Sequence, residues 1–126
     1  MKAHSAFDPT ALEAARRVHR ALGDENRLFI AKRIAQSPCT VSELIQDTGI
    51  AGPLISWHLR KLRGSGLITQ IKQGRETLCS FNYSVIATAH ALMLDQLGIR
   101  DGGAWAPPAT ILDEALTKVA LNNKED

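Results

Sequence analysis

Two helix boundaries crowd into the stretch from Thr40 to Pro53, and they leave the chain little freedom there. Thr40-Val41-Ser42-Glu43 has the capping-box form: the Thr40 hydroxyl can accept from the Glu43 amide while the Glu43 carboxylate reaches back. Val41, Leu44 and Ile45 make the apolar stripe of a short helix, and Gly49 ends it. Gly52-Pro53 then starts another helix, with proline in the first turn, where its missing N–H does no harm. Its inward stripe is Ile55, Leu59 and Leu62. Its other faces show Leu54, Ser56, Trp57, His58, Arg60, Lys61 and Arg63, and Gly64-Ser65-Gly66 closes it. Two helices joined by so short a turn cross at a steep angle.

Immediately afterwards the apolar period changes from 3.6 to 2. Leu67, Thr69 and Ile71 alternate with Ile68, Gln70 and Lys72. After Gln73-Gly74-Arg75-Glu76, the residues Thr77, Cys79 and Phe81 alternate with Leu78, Ser80 and Asn82, which predicts a β-hairpin. Upstream, helical spacing runs from Thr10 to Leu22 (Ala11, Ala15, Val18, Leu22), with Thr10 as the expected N-cap and Gly23 as the stop. Asp24 is placed to cap a second helix from Glu25 to about Gln36, with Leu28, Ala31, Ile34 and Ala35 inward and Ser37-Pro38 ending it. Residues 84–97 form a helix that is apolar nearly all round, with Val85, Ala89, Leu92, Met93 and Leu97 on one side and Ala87 and Ala91 on the other. Both faces therefore need cover.

The expected fold is mainly α with a small β-hairpin (α+β): a helix-turn-helix carrying a wing. Residues 1–9 read as a loose arm and residues 10–98 as the folded domain. Residues 99–126 read as a linker, Gly102 to Pro108, followed by a last amphipathic helix bearing Ile111, Leu112, Ala115, Leu116, Val119 and Ala120. With 126 residues, 44% of them hydrophobic and 22% charged, the chain can bury a core without disulfides or metal. The uncharged stretch from Tyr83 to Leu94 contains His90 and is too short to cross a bilayer. Met1 to Ser5 leads into no apolar signal core, so the expected location is the cytoplasm.

Net charge is only +2, yet it is unevenly spread. Residues 52–83 carry five Lys/Arg against one Glu, whereas residues 84–126 carry three against six acids. A helix held across another can enter the DNA major groove if it offers short polar groups to base edges and cations to phosphates. The helix after Pro53 offers Ser56, Trp57, His58, Arg60, Lys61 and Arg63, and the hairpin tip offers Lys72, Gln73 and Arg75 beside a glycine. These are the candidate DNA-binding residues. Leu54 and Trp57 suit either thymine methyls or packing on the protein itself.

The residues Ala21-Leu22-Gly23-Asp24-Glu25-Asn26-Arg27-Leu28, Val41-Ser42-Glu43-Leu44, Ile55-Ser56-Trp57-His58-Leu59-Arg60-Lys61-Leu62-Arg63, Gly66-Leu67-Ile68 and Gly74-Arg75 resemble the ArsR/SmtB-type winged-helix transcriptional regulators of bacteria. The resemblance covers roughly residues 15–97. It implies a homodimer paired through the first and last helices, in keeping with the two-sided apolarity of residues 84–97, that binds an imperfect palindrome in double-stranded promoter DNA and usually represses. The family's Ser-Gln at the start of the recognition helix is here Ala51-Gly52, so a capping hydroxyl and a base-reading amide are absent.

Many members of that family sense metals. The third-helix type of site needs two cysteines just before Glu43-Leu44, where this chain has Thr40 and Ser42, with Cys39 one step early. The last-helix type needs further ligands around His90 and Asp95, and the neighbours at those spacings are alanine or leucine. Tetrahedral zinc takes about four ligands, so no metal and no cofactor is expected. Cys39 and Cys79 fall on strands that are adjacent in winged helices, close enough for a thiol switch or simply two buried small hydrophobes. The inducer, small molecule or oxidant, is left open. His90 reads as a dimer-face residue, His4 and His19 as solvated, and Trp105 as a packing residue. No nucleophile-base pair, phosphate loop or paired carboxylates suggest an enzyme. The rival readings are a winged-helix protein-interaction module that never touches DNA and a thiol-responsive repressor.

Overall fold

Local hydrogen bonding sets most of the helix boundaries. The computed structural model describes residues 9–99 and Thr117. The expected arm, linker and last helix, with His4 and Trp105, lie outside the described residues. Helix α1 spans Pro9–Ala21 and α2 spans Glu25–Gln36. Asp24 caps α2 by accepting from the Arg27 amide at 3.1 Å, and that hydrogen bond holds its carboxyl below the ordinary carboxylate range. Thr10 lies inside α1 and so is not its N-cap, because the helix already includes Pro9.

The short strand β1 (Cys39–Thr40) leads into α3 (Val41–Thr48) through the reciprocal cap expected from the sequence. The Glu43 amide donates to Thr40 Oγ1 at 3.1 Å, and the Thr40 amide donates to Glu43 Oε1 at 2.8 Å. Gly49 ends α3 with φ +73°, a left-handed turn that a side chain would oppose. Helix α4 spans Gly52–Gly64 with Pro53 in its first turn; Ala51, its N-cap residue, makes no side-chain cap.

Strands β2 (Ile68–Gln73) and β3 (Glu76–Phe81) and helix α5 (Tyr83–Gln96) complete the described fold. The sheet is antiparallel in the order β1-β3-β2, so the hairpin is joined by the strand that precedes α3. Cys39 stands opposite Cys79, and Gln73 opposite Glu76. Asn82 pins the base of the hairpin: its amide donates to Leu67 O and its Nδ2 donates to Gly66 O, both at 2.8 Å. Tyr83 Oη donates to Ala35 O, tying the start of α5 to the end of α2.

The core gathers Ile30 and Ile34 of α2, Leu44 of α3, Ile55, Leu59 and Leu62 of α4, and Leu67 and Cys79 at the sheet. Burying each such aliphatic side chain contributes roughly 1.5–3 kcal/mol. Leu28, expected inward, is 55% exposed, and Ile30 occupies the core instead. Leu28, Phe29, Ile30 and Ala31 are consecutive apolar residues around one helical turn, so periodicity alone does not choose among them; packing on α4 and the sheet does. Helix α5 lies along α1, with Ala89 buried and Val85, Ile86, Leu92 and Met93 partly covered. No described helix is long and apolar enough to cross a membrane.

Candidate nucleic-acid interface

Helix α4 divides its side chains cleanly. Ile55, His58, Leu59 and Leu62 face the core, while Ser56, Trp57, Arg60, Lys61 and Arg63 are exposed. His58 departs from the expectation of a base-reading residue, because it is 2% exposed. Its position three residues after Ile55 and four before Leu62 puts it on the inward stripe, whatever its polarity. Arg27 Nη1 lies 3.4 Å from His58 Nδ1. A guanidinium can only donate, so His58 Nδ1 is the accepting atom of that contact. The ring's Nε2 is buried with no hydrogen-bond partner among the described residues.

On the wing side of α4 an open cleft of about 600 Å³ is lined by Ser42, Ser56, Arg60, Arg63, Lys72 and Arg75, among others, with Glu76 the one acid. Arg63 Nη1 donates to Gln70 Oε1 at 2.6 Å and so ties the end of α4 to β2. Lys72, Gln73 and Arg75 are exposed at the hairpin tip, where Gly74 takes φ +63° in a two-residue turn.

A second cleft, about 620 Å³, lies on the other flank and is lined by Arg17 and Arg20 of α1, Arg27 of α2, and Trp57, Arg60 and Lys61 of α4, among others. No carboxylate lines it. Trp57, 43% exposed, has Lys61 Nζ 5.3 Å and Arg27 Cζ 5.7 Å from its ring centroid, both within cation–π reach. The indole is therefore held on the protein by cations and is not a bare apolar wedge. The α1 and α2 arginines were not among the sequence candidates, since nothing local shows that the chain folds them beside α4.

Cys39 and Cys79 are both free and fully buried. Burial pushes both thiols up from their ordinary range, and the Gln70 Nε2 contact to Cys79 Sγ at 3.6 Å only partly offsets it. His19 is partly buried rather than solvated, with Nδ1 2.7 Å from Ala15 O and its ring 6.2 Å from that of His90. Among the described residues, no group of three or more His, Cys, Asp or Glu is arranged to hold a metal ion.

Residues 24–70, from the α2 cap to the first half of the hairpin, match the model of the arsR family of bacterial regulatory proteins. A crystallised ArsR family transcriptional regulator is 30% identical and superimposes with a TM-score of 0.61, over 75% of this chain and 94% of that one. The chain belongs to the ArsR family. The transcriptional repressor SmtB of Mycobacterium tuberculosis is 36% identical over 67 residues, which are 53% of this chain and 50% of that protein. The chain thus spans about half the length of the curated relatives it matches. The homodimeric winged helix-turn-helix DNA-binding domain of a possible ArsR-family regulator from Mycobacterium bovis, 23% identical with a TM-score of 0.60 over 75% of this chain and 88% of that one, shares the fold. The ArsR fold seen there is the winged helix-turn-helix expected from the hairpin after α4, with β1 as a third strand.

Proposed function

We infer that this ArsR-family chain is a cytoplasmic, homodimeric repressor that binds a palindromic site in promoter DNA and performs no catalysis. The observation that carries the reading is the exposed face of α4, where Ser56, Arg60 and Arg63 line one cleft with the cationic wing residues Lys72 and Arg75. Ser56 is the base-reading group. Arg60, Lys61, Arg63, Lys72, Gln73 and Arg75 hold phosphates or the adjoining minor groove. The DNA-binding and dimerisation domain is residues 10–98, and two copies of it join through α1 and α5 and set their α4 helices about one duplex turn apart. No metal is part of the reading, since Cys39 has Thr40 and Ser42 as neighbours and Cys79 opposite it, not further ligands.

A gel shift with the duplex upstream of its own gene tests this. The expected result is a shift that weakens with salt and changes its sequence preference in Ser56→Ala. No shift, or one insensitive to salt, would favour the protein-interaction module.

The Cys39–Cys79 register favours one second reading, a thiol switch. Paired antiparallel Cα atoms lie about 4.5–5.5 Å apart, within disulfide range. Peroxide would oxidise both thiols to the disulfide and itself be reduced to two waters. If peroxide changes DNA affinity equally in the wild type and Cys79→Ser, that reading fails.

A further inference from the structure

An α-helix about 10–12 Å across nearly fills the B-DNA major groove, which is about 12 Å wide, so phosphate ridges run along both of its flanks. The wing accounts for one flank of α4 only. On the other flank stand Arg17, Arg20, Arg27, Arg60 and Lys61, with no carboxylate in the lining. We propose that this α1–α2–α4 cleft is a second phosphate-binding face, which takes the DNA backbone opposite the wing and clamps the duplex from both sides. The proposal rests on the DNA-binding reading above and adds α1 and α2 to the interface.

Three features support it. First, Arg27 is positioned: Nε donates to Ala21 O at 2.7 Å and Nη1 lies 3.4 Å from His58 Nδ1. Its Nη2 makes no hydrogen bond among the described residues, and guanidinium donors suit phosphate oxygens. Buried His58 thus acts as a positioning residue, holding the arginine from below. Second, Trp57 lies within cation–π reach of both Arg27 and Lys61, an arrangement that restrains the two charges at the cleft without neutralising them. Third, two acids whose charges reach this group each have a hydrogen-bond partner of their own. Asp24 accepts from the Arg27 amide, and Glu13 pairs with Arg16 at 2.9 Å. Arg17 and Arg20 are exposed, and the structure gives them no ion pair of their own among the described residues.

Binding to phosphates is blind to sequence, so a duplex of arbitrary sequence several turns long is a sufficient probe. Fluorescence anisotropy measured across a salt series gives the slope of log K against log salt. Replacing both Arg17→Ala and Arg20→Ala should shrink that slope by about 0.9 for every phosphate left without its cation, or about 1.8 for one chain on the duplex and about 3.6 for two. Affinity at low salt falls with it. Lys32→Ala serves as the control, because Lys32 lines a separate hollow with Phe29, Arg33 and Asp47. His58→Leu should lower affinity as Arg27→Gln does, and add nothing when Arg27 is already Gln.

A wild-type slope retained in the Arg17/Arg20 double variant would overturn the clamp while leaving DNA binding by α4 and the wing intact. So would protection from thermal unfolding by inorganic pyrophosphate at an unchanged DNA slope, since it would assign the cations to a free phosphate ligand. Absence of any salt-dependent binding by the wild type would remove the DNA reading and the clamp together.

Discussion

The α3–α4 half of the molecule and the α1–α5 half differ in how much of their apolar surface their own chain covers. In the first, Leu44, Ile55, Leu59 and Leu62 are almost wholly buried within one protomer, and the outside mixes cations with the exposed Ile45, Leu54 and Trp57. In the second, α5 is the more apolar helix, yet Ala89 is its one fully buried residue and Leu97 is 68% exposed at its end. A helix that is apolar on both faces and covered on one is only half accounted for by its own chain. The α3–α4 half covers its largest apolar residues with its own chain, and α5 leaves apolar surface that its own chain does not cover.

Core truncations should break this comparison most visibly. In urea unfolding of the separated protomer, Leu59→Ala should cost about 2–5 kcal/mol, whereas Leu97→Ala should stay within about 0.5 kcal/mol. Equal losses would mean that α5 is anchored in the protomer as firmly as α4. Next comes the uncovered side of α5. Ala87→Glu with Ala91→Glu should weaken self-association at least about tenfold, or about 1.4 kcal/mol, in sedimentation equilibrium while circular dichroism stays unchanged. A variant that dimerises as before would place the interface elsewhere.

Capping sharpens the account within the α3–α4 half. Thr40→Ala should destabilise by about 1 kcal/mol by leaving the Glu43 amide without its acceptor. Ala51→Ser should act in the opposite direction, since Ala51 has extended backbone and offers α4 no side-chain acceptor. The smallest effect concerns pH. Cys39 and Cys79 hold their protons longer folded than unfolded, because burial raises both thiols. The folded state then binds more protons, so the stability they contribute is whole below about pH 8.5 and is lost as pH rises through the folded values. Replacing both with alanine should flatten the alkaline limb of the stability curve.

Elements fixed by local hydrogen bonds were readable from the residues alone. The Asp24 cap, the Thr40–Glu43 box, the Gly49 stop and the hairpin around Gly74 each depend on neighbours within a few positions. Choices made by tertiary packing were not. Which of Leu28 and Ile30 turns inward depends on α4 and the sheet, and the Thr10 cap fails because α1 already contains Pro9. His58 was readable in principle, because its spacing from Ile55 and Leu62 marks the buried stripe, but its polarity argued for the surface. The second cationic cleft needed the fold itself, since Arg17, Arg20 and Arg27 are far in sequence from Trp57 and Lys61.

Analytical ultracentrifugation of the protein mixed with the duplex upstream of its own gene tests the central claim in one experiment. The account predicts two chains on each duplex, in a complex that dissociates steeply as salt is raised. A single chain per duplex, or protein that sediments apart from the DNA at low salt, would contradict it.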